Sequence, residues 1–193
     1  PGHQRGVVVG TTLGGIIALE MAAARPDRIA AIVLNDVGPE KPESSVQRMA
    51  GHGDSRGLTR DGAIALIRAQ NEAFVSGFTE RDWEALMLRA YRRHPDGTYR
   101  RDFDTNTHPA TIAQLRDRPT YWDELRAAAS TPILVFRGEH SDFLTRDIAD
   151  RMIGAHPRLD VVEIAGRGHP PFLDEPEVLP AIQGLLDRVD GSS

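Results

Sequence analysis

Four short apolar runs rich in β-branched residues divide the chain, two near its beginning and two in its last third. The runs are RGVVVG, RIAAIVLNDV, TPILVFRG and LDVVEIAG, at residues 5–10, 28–37, 131–138 and 159–166. Continuous runs of this length are typical of strands buried on both faces of a parallel sheet. Helices are predicted after the first, third and fourth runs, over residues 13–25, 146–156 and 175–189. This alternation predicts an α/β fold with a mostly parallel sheet.

The segment between the second and third runs has a different pattern. Residues 40–57 are rich in Pro, Ser and Gly, which is typical of a linker. Thr59 and Thr79 are each placed to cap an amphipathic helix, and two shorter helices are predicted at residues 108–117 and 121–130. We therefore predict a core formed by residues 1–39 and 129–193, interrupted by a helical insertion at residues 40–128.

A glycine-rich turn, GTTLGG, joins the first strand to the first helix and starts at Gly10. A phosphate-binding loop would need Lys and Ser/Thr where Ile16 and Ile17 stand, and a dinucleotide-binding turn would need glycine at Thr12. The turn fits the nucleophile elbow G-x-S-x-G at every position except the nucleophile, which is Thr12. Glycines at positions 10 and 14 are expected because side chains there would prevent the sharp turn.

A hydroxyl nucleophile needs a histidine and a carboxylate, and both follow later strands. Asp142 comes directly after the third strand, and His169 comes directly after the fourth. Loops at the carboxyl ends of parallel strands meet at one edge of the sheet. Thr12, Asp142 and His169 also stand in the order nucleophile, acid, histidine. We predict these three residues as the catalytic set.

The stretches VVVGTTLGGIIALEMAAARPDRIAAIVLNDVGPE, TPILVFRGEHSDFL and GRGHPPFLDEPE resemble the α/β-hydrolase superfamily. The resemblance is strongest to its cap-bearing, lactonase- and esterase-like bacterial members, and it covers the central insertion only loosely. It implies a helical cap and hydrolysis of a small carboxylic ester or lactone without a cofactor. It also implies that the Leu13 backbone N–H is an oxyanion-hole donor. Some members take their acid from the position of Asp36, but a loop-anchoring role is expected for Asp36 because Asp142 is well placed.

Two departures from the superfamily pattern shape the expected activity. Thr12 replaces serine at a position of positive φ, where a β-branched residue is strained, so weak or no hydrolysis is expected. The superfamily places further strands before the elbow strand, one of them supplying a second oxyanion-hole donor, and these do not precede Gly6 here. We therefore expect one of three situations. A longer parent supplies those strands, another chain (such as a second copy of this one) covers the exposed edge strand, or this chain is not a competent enzyme alone.

Two alternatives to the hydrolase interpretation were considered, and the sequence favours one of them and disfavours the other. A non-catalytic protein that retains the hydrolase fold and binds a ligand is favoured by Thr12 and by the missing strands. A dehalogenase on the same fold would need a carboxylate at position 12, and the sequence counts against it.

Composition narrows the range of expected binding partners and the expected cellular compartment. The 193 residues carry a formal net charge of −5 and include no cysteine, so nucleic acid is not an expected partner and thiolate metal sites are excluded. No apolar stretch approaches membrane-spanning length and no signal peptide is visible, so a cytoplasmic protein is expected. The histidines show no pair at zinc-binding helical spacing, and no metal site is predicted. Phe143 and Trp83 are expected in the cap or pocket wall, with core packing an equal alternative for Trp83.

Overall fold

The computed structural model describes residues 4–45, 57–102 and 120–191. The chain forms two compact units, Pro1–Pro42 with Pro119–Ser193, and Glu43–Arg118. In chain order the elements are β1 (Gly6–Thr11), α1 (Leu13–Ala24), β2 (Ile29–Asn35), α2 (Arg60–Asn71), a 3₁₀ turn (Glu72–Phe74), α3 (Glu80–Ala90), β3 (Tyr91–Arg93), β4 (Tyr99–Arg101), α4 (Trp122–Ala127), β5 (Ile133–Gly138), α5 (Arg146–Ala155), β6 (Leu159–Ile164) and α6 (Val178–Asp190).

The first unit contains a four-stranded sheet in the order β1-β2-β5-β6, and every pair of neighbours is parallel. All four strands predicted from the apolar runs are present, within a few residues of the predicted bounds. The two central strands are buried along their whole length, as expected for strands covered on both faces. The parallel α/β architecture predicted from the sequence is therefore confirmed.

The core of this unit follows the alternation of side chains along the strands. Ala31 and Val33 of β2 join Leu134 and Phe136 of β5 in one buried cluster, which α6 covers with Val178 and Leu185. The residues between them on β2 point to the opposite face. There, Leu34 lies against the start of α1, close to Gly15. Both faces of the sheet are thus packed against helices.

Helix α4 belongs to the sheet-bearing unit, although the sequence placed it in the insertion. Its Leu125 is fully buried, and the helix packs against α1. The Tyr121 N–H donates to the Pro39 carbonyl at 2.7 Å, and the Trp122 indole N–H donates to Glu40 at 2.7 Å. These bonds hold the two ends of the interrupted core side by side. In the structure the first compact unit resumes at Pro119, before the predicted boundary at residue 128.

The second unit is built around α2 and α3. Thr59 caps α2 through the Gly62 N–H, and Thr79 caps α3 through a capping box with Asp82, as their positions predicted. The helical pattern of the sequence extends to His94, but α3 ends at Ala90. The residues that follow form β3, which pairs antiparallel with β4. The buried side chains shared by these elements are Ala63, Ile67, Trp83, Met87 and Tyr91.

Strand β1 lies at one edge of the described sheet, and the surface beside it is apolar. Val9 on the strand and Leu13, Ile17 and Met21 on α1 are each between 44% and 56% exposed. The three helical residues are spaced four apart and line one side of α1. Association of the chain with itself through this edge stays a prediction.

Some predictions made from the sequence concern residues that the structure does not describe. The helix predicted at residues 108–117 lies outside the described residues, as do His52 and His108. Within the described ranges, no helix is long and apolar enough to cross a membrane.

His156 gives the stability of the first unit a defined pH dependence. It is 2% exposed, its Nε2–H donates to the Ala128 carbonyl at 3.0 Å, and its Nδ1 accepts from the Arg158 N–H at 3.2 Å. Burial lowers the pKa of His156, so the folded state takes up its proton at lower pH than the unfolded state does. We expect the free energy of unfolding to fall as the pH drops through about 6.5, the ordinary pKa of histidine.

Urea unfolding at pH 7.5 and pH 5.5 measures this effect. In His156→Gln, an amide can keep both hydrogen bonds without titrating, so the loss of stability between the two pH values should be smaller than in the starting protein. His140→Gln, at a side chain 44% exposed, is the control and should keep the full loss. Equal losses in all three proteins would contradict the assignment.

Candidate active site

Thr12 occupies the turn between β1 and α1 in a strained backbone conformation. Its φ is 51° and its ψ is −114°, and it immediately precedes Leu13, the first residue of the helix. A β-branched residue with positive φ is an outlier that the surrounding structure must hold in place. The positive φ predicted for the elbow position is confirmed.

Tight packing around the turn explains two of its glycines but not the third. A Cβ at Gly10 would lie 2.5 Å from the backbone of Gly14, and a Cβ at Gly15 would collide with the Val37 side chain. A Cβ at Gly14 would meet nothing within 4 Å. The close approach predicted between the strand and the helix is therefore real, but the second indispensable glycine is Gly15 rather than Gly14.

The Thr12 hydroxyl, the His169 ring and the Asp36 carboxylate form a continuous chain of hydrogen bonds. Thr12 Oγ1 lies 3.3 Å from His169 Nε2, and His169 Nδ1 lies 2.9 Å from Asp36 Oδ2. An ionised carboxylate can only accept, so Nδ1 carries the proton and Nε2 of the neutral ring is free to accept from the hydroxyl. His169 is thereby oriented as a base toward Thr12.

The structure corrects the predicted acid. Thr12 and His169 come together as the sequence predicted, but the carboxylate that meets His169 Nδ1 is Asp36 and not Asp142. Asp142 lies one residue beyond Ser141 in the loop after β5 and is partly buried. Because each ring nitrogen of His169 already has its partner, the acid position is filled from the end of β2.

The Asp36 carboxylate is fully buried and accepts from three donors. The Gly138 N–H donates to Oδ1 at 2.9 Å, and the Ser141 hydroxyl donates to Oδ2 at 2.6 Å, beside the bond from His169. Burial of a charge is costly unless hydrogen bonds compensate it. The parallel pairing of β2 with β5 supplies two of these donors, because it brings the end of β5 beside Asp36.

The loop that carries His169 is fixed at both ends. The Asn35 amide donates to the Pro171 carbonyl at 3.0 Å and to the Thr11 hydroxyl at 3.2 Å, which joins the loop to the ends of β1 and β2. Further along, the Glu175 carboxylate accepts from Arg167 at 3.0 Å and from the Phe172 N–H at 3.1 Å. His169 therefore has little freedom to turn away from Thr12.

Two contributors to the site were not assigned their roles from the sequence. The Phe143 ring stacks on the His169 ring, with centroids 4.0 Å apart and planes inclined by 15°. Ser141 hydrogen-bonds to Asp36, and the only sequence signal for it was its place in a loop at the carboxyl end of a strand. The sequence predicted Phe143 in the cap or pocket wall and gave it no stacking partner.

The arrangement has the parts of a nucleophilic catalyst. Thr12 offers a hydroxyl, His169 a base oriented toward it, and Asp36 a carboxylate that orients the base. Leu13 is the first residue of α1, so its N–H has no acceptor within the helix. Within the described residues, no group of three or more His, Cys, Asp or Glu side chains could hold a metal ion.

Comparisons with known proteins agree with this architecture. A sequence model described as the alpha/beta hydrolase family matches residues 1–181. An alpha/beta hydrolase from Novosphingobium aromaticivorans is 34% identical and superposes with a TM-score of 0.84, covering 96% of this chain and 66% of that one. A 3-hydroxybutyrate-oligomer hydrolase of Cupriavidus necator is 26% identical over 90% of this chain, and an esterase of Mycobacterium tuberculosis is 29% identical over 93%.

This chain is shorter than the proteins it matches. It spans 62% of the length of the Cupriavidus hydrolase and 60% of the Mycobacterium esterase. The similarity thus concerns about three fifths of each of these relatives.

The glycines of the turn give a direct test of the packing around Thr12. Gly10→Ala should destabilise the protein by several kcal/mol, because the new Cβ would meet helix backbone that cannot move aside. Gly14→Ala should be neutral or stabilising by about 0.5–1 kcal/mol, because alanine suits a helix better than glycine. Thermal unfolding followed by circular dichroism measures both changes. Equal destabilisation by the two variants would contradict the packing described here.

Proposed function

Because the chain belongs to the alpha/beta hydrolase family, we propose that it is a hydrolase of small carboxylic esters or lactones. The observation that carries the proposal is the hydrogen-bonded series from Thr12 through His169 to Asp36. Support also comes from two relatives whose names are those of an esterase and of an oligomer hydrolase. The proposed substrate is a small molecule, and no cofactor takes part.

The proposed reaction is acyl transfer to water in two steps. His169 Nε2 takes the proton of the Thr12 hydroxyl while Oγ1 bonds to the substrate carbonyl carbon, and the Leu13 N–H donates to the resulting oxyanion. Collapse of the intermediate breaks the bond to the alkoxy oxygen, which receives the proton from His169. Water, deprotonated by His169, then attacks the acyl group and releases the acid, which restores Thr12.

Asp36 supports both steps without giving up or taking a proton. Its Oδ2 accepts from His169 Nδ1–H, which holds the ring in the tautomer that leaves Nε2 free. When His169 carries two protons, the neighbouring carboxylate stabilises the positive charge. Asp142, expected from the sequence to have this role, has no part in the proposed mechanism.

We propose that Thr12 makes this chemistry slow. Its methyl group crowds the tetrahedral carbon, and its backbone carries strain that a serine would bear at lower cost. The unit Glu43–Arg118 is proposed as a helical cap, in keeping with its place between β2 and β5 in the sequence.

A second candidate is a binding protein that keeps the fold and the pocket without turnover. The observation that favours it is the β-branched residue at a φ of 51°, where the nucleophile would stand. In that case the hydrogen bonds of His169 would be structural only. The same substitutions at position 12 separate the two candidates.

Hydrolysis of p-nitrophenyl acetate and of a 3-hydroxybutyrate oligomer tests the proposed nucleophile. Thr12→Ser should raise kcat by about 10-fold or more, because it removes the methyl and relieves strain of about 1–3 kcal/mol. Thr12→Ala should abolish turnover above the uncatalysed rate. Thr120→Ala, an exposed threonine in the same unit, is the matched control and should behave as the starting protein does. If Thr12→Ala equals the starting protein and Thr12→Ser gains nothing, the non-catalytic binding protein is the correct interpretation.

A second comparison tests the acid in the more active Thr12→Ser background. Asp36→Asn should lower kcat by about 10²–10⁴-fold, because an amide cannot hold His169 in the required tautomer. Asp142→Asn, at a carboxylate four residues beyond the end of β5, should stay within about 3-fold of its parent. A large loss in Asp142→Asn with little change in Asp36→Asn would return the acid role to Asp142.

A further inference from the structure

We propose that Ser141 is a positioning residue that fixes the Asp36 carboxylate for its contact with His169. The inference rests on the proposed function, since it assigns Ser141 a part in orienting the same three side chains. It goes beyond that function because Ser141 touches neither the nucleophile nor the base. Ser141 acts from the loop after β5, while the acid it supports comes from the end of β2.

The direction of the Ser141 hydrogen bond follows from its other contacts. The backbone N–H groups of Phe143 and Leu144 donate to Ser141 Oγ at 3.1 and 3.0 Å. A hydroxyl has two acceptor lone pairs and one proton, so both lone pairs are occupied. Its proton is therefore directed to Asp36 Oδ2, which lies 2.6 Å away.

The hydrogen bond from Ser141 restricts the orientation of the Asp36 carboxylate. The Gly138 N–H holds Oδ1 from one side, and Ser141 holds Oδ2 from the other. With both oxygens fixed, the remaining acceptor capacity of Oδ2 is directed to His169 Nδ1 at 2.9 Å. Without Ser141, the carboxylate keeps one backbone donor and gains freedom to rotate about its bond to Cβ.

Ser141 also links the acid to the wall behind the base. The same oxygen that donates to Asp36 accepts from the N–H of Phe143, whose buried ring stacks on His169. One side chain thus fixes both the carboxylate in front of Nδ1 and the ring against which the imidazole lies. This double contact distinguishes Ser141 from a residue that only supports a turn.

The loop has anchors that do not depend on Ser141. The Arg137 side chain is buried, donates to the Leu144 carbonyl at 3.0 Å and to the Glu139 carbonyl at 3.3 Å, and pairs with Glu163. Both ends of the loop therefore stay attached to β5 when the serine hydroxyl is removed. A Ser141→Ala variant should keep its fold and lose mainly the bond to Asp36.

Proton NMR of the His169 ring tests the proposal independently of turnover. The Nδ1–H signal, assigned by its absence in His169→Gln, should exchange with water about 10-fold faster in Ser141→Ala, because the acceptor is less well fixed. Ser141→Thr keeps the hydroxyl and should restore slow exchange. Ser130→Ala, an exposed serine of the same unit, should leave the signal unchanged.

Kinetics in the Thr12→Ser background give a second readout. In Ser141→Ala, kcat/KM for p-nitrophenyl acetate should fall about 10-fold, a part of what general base catalysis contributes. The pH profile of kcat/KM should also differ from that of the Thr12→Ser parent, because the carboxylate that faces His169 Nδ1 has one hydrogen-bond donor fewer. A purely structural role would not move the pH profile.

Each result of these experiments either supports or overturns the role proposed for Ser141. A folded Ser141→Ala protein with unchanged Nδ1–H exchange overturns the proposal, whether or not the chain hydrolyses esters. Altered exchange without turnover in any position 12 variant supports Ser141 as the fixing residue and defeats only the proposed function. If near-ultraviolet circular dichroism shows Ser141→Ala unfolded, Ser141→Cys, which keeps the shape with a weaker donor, replaces it and should show the same faster exchange.

Discussion

The buried carboxylate of Asp36 is the interaction on which the rest of the site depends. A fully buried charge must be met by hydrogen bonds or it destabilises the fold. Here the three donors come from the end of β5, the loop after β5 and the loop after β6. Two of those donors stand in place only because β2 and β5 pair in parallel, with Asn35 opposite Phe136. The third donor is the base itself. The sheet, the loop after β5 and the loop that carries His169 are therefore held together by one side chain.

Backbone strain is concentrated at the same edge of the sheet. Of the three non-glycine residues with positive φ among those described, two are Thr12 at 51° and Asp36 at 55°. Aspartate tolerates this region better than a β-branched residue does, so the greater cost falls on Thr12. The tight contacts of Gly10 and Gly15 hold the elbow in this shape, and the Asp36 N–H is fixed by the Phe136 carbonyl at 2.8 Å. Packing of the neighbouring elements thus maintains conformations that the local chain would not choose.

The sequence predicted the features that depend on the local pattern of residues. It missed those that depend on which distant residue a side chain or strand meets in the folded structure. The apolar runs located the four parallel strands, and the glycine turn with a later histidine located Thr12 and His169. The choice between Asp36 and Asp142 could not be made in this way, because both follow a strand and order along the chain does not say which one meets Nδ1. The sequence pattern also placed the end of α3 too far along the chain, for a related reason. Tyr91 continues a helical pattern but pairs with Arg101, a partner ten residues away.

Placing the acid on β2 changes what the loop after β5 has to supply. A second carboxylate within reach of His169 would set two negative charges around one imidazole and would favour protonation of one of them. A neutral hydroxyl at Ser141 avoids this, because it donates into the buried charge without adding another. The acid and base sides of the site are then fully supported by hydrogen bonds and stacking. In the proposed mechanism, the nucleophile limits the chemistry, because the methyl group of Thr12 adds both strain and crowding at the group that bonds to the substrate.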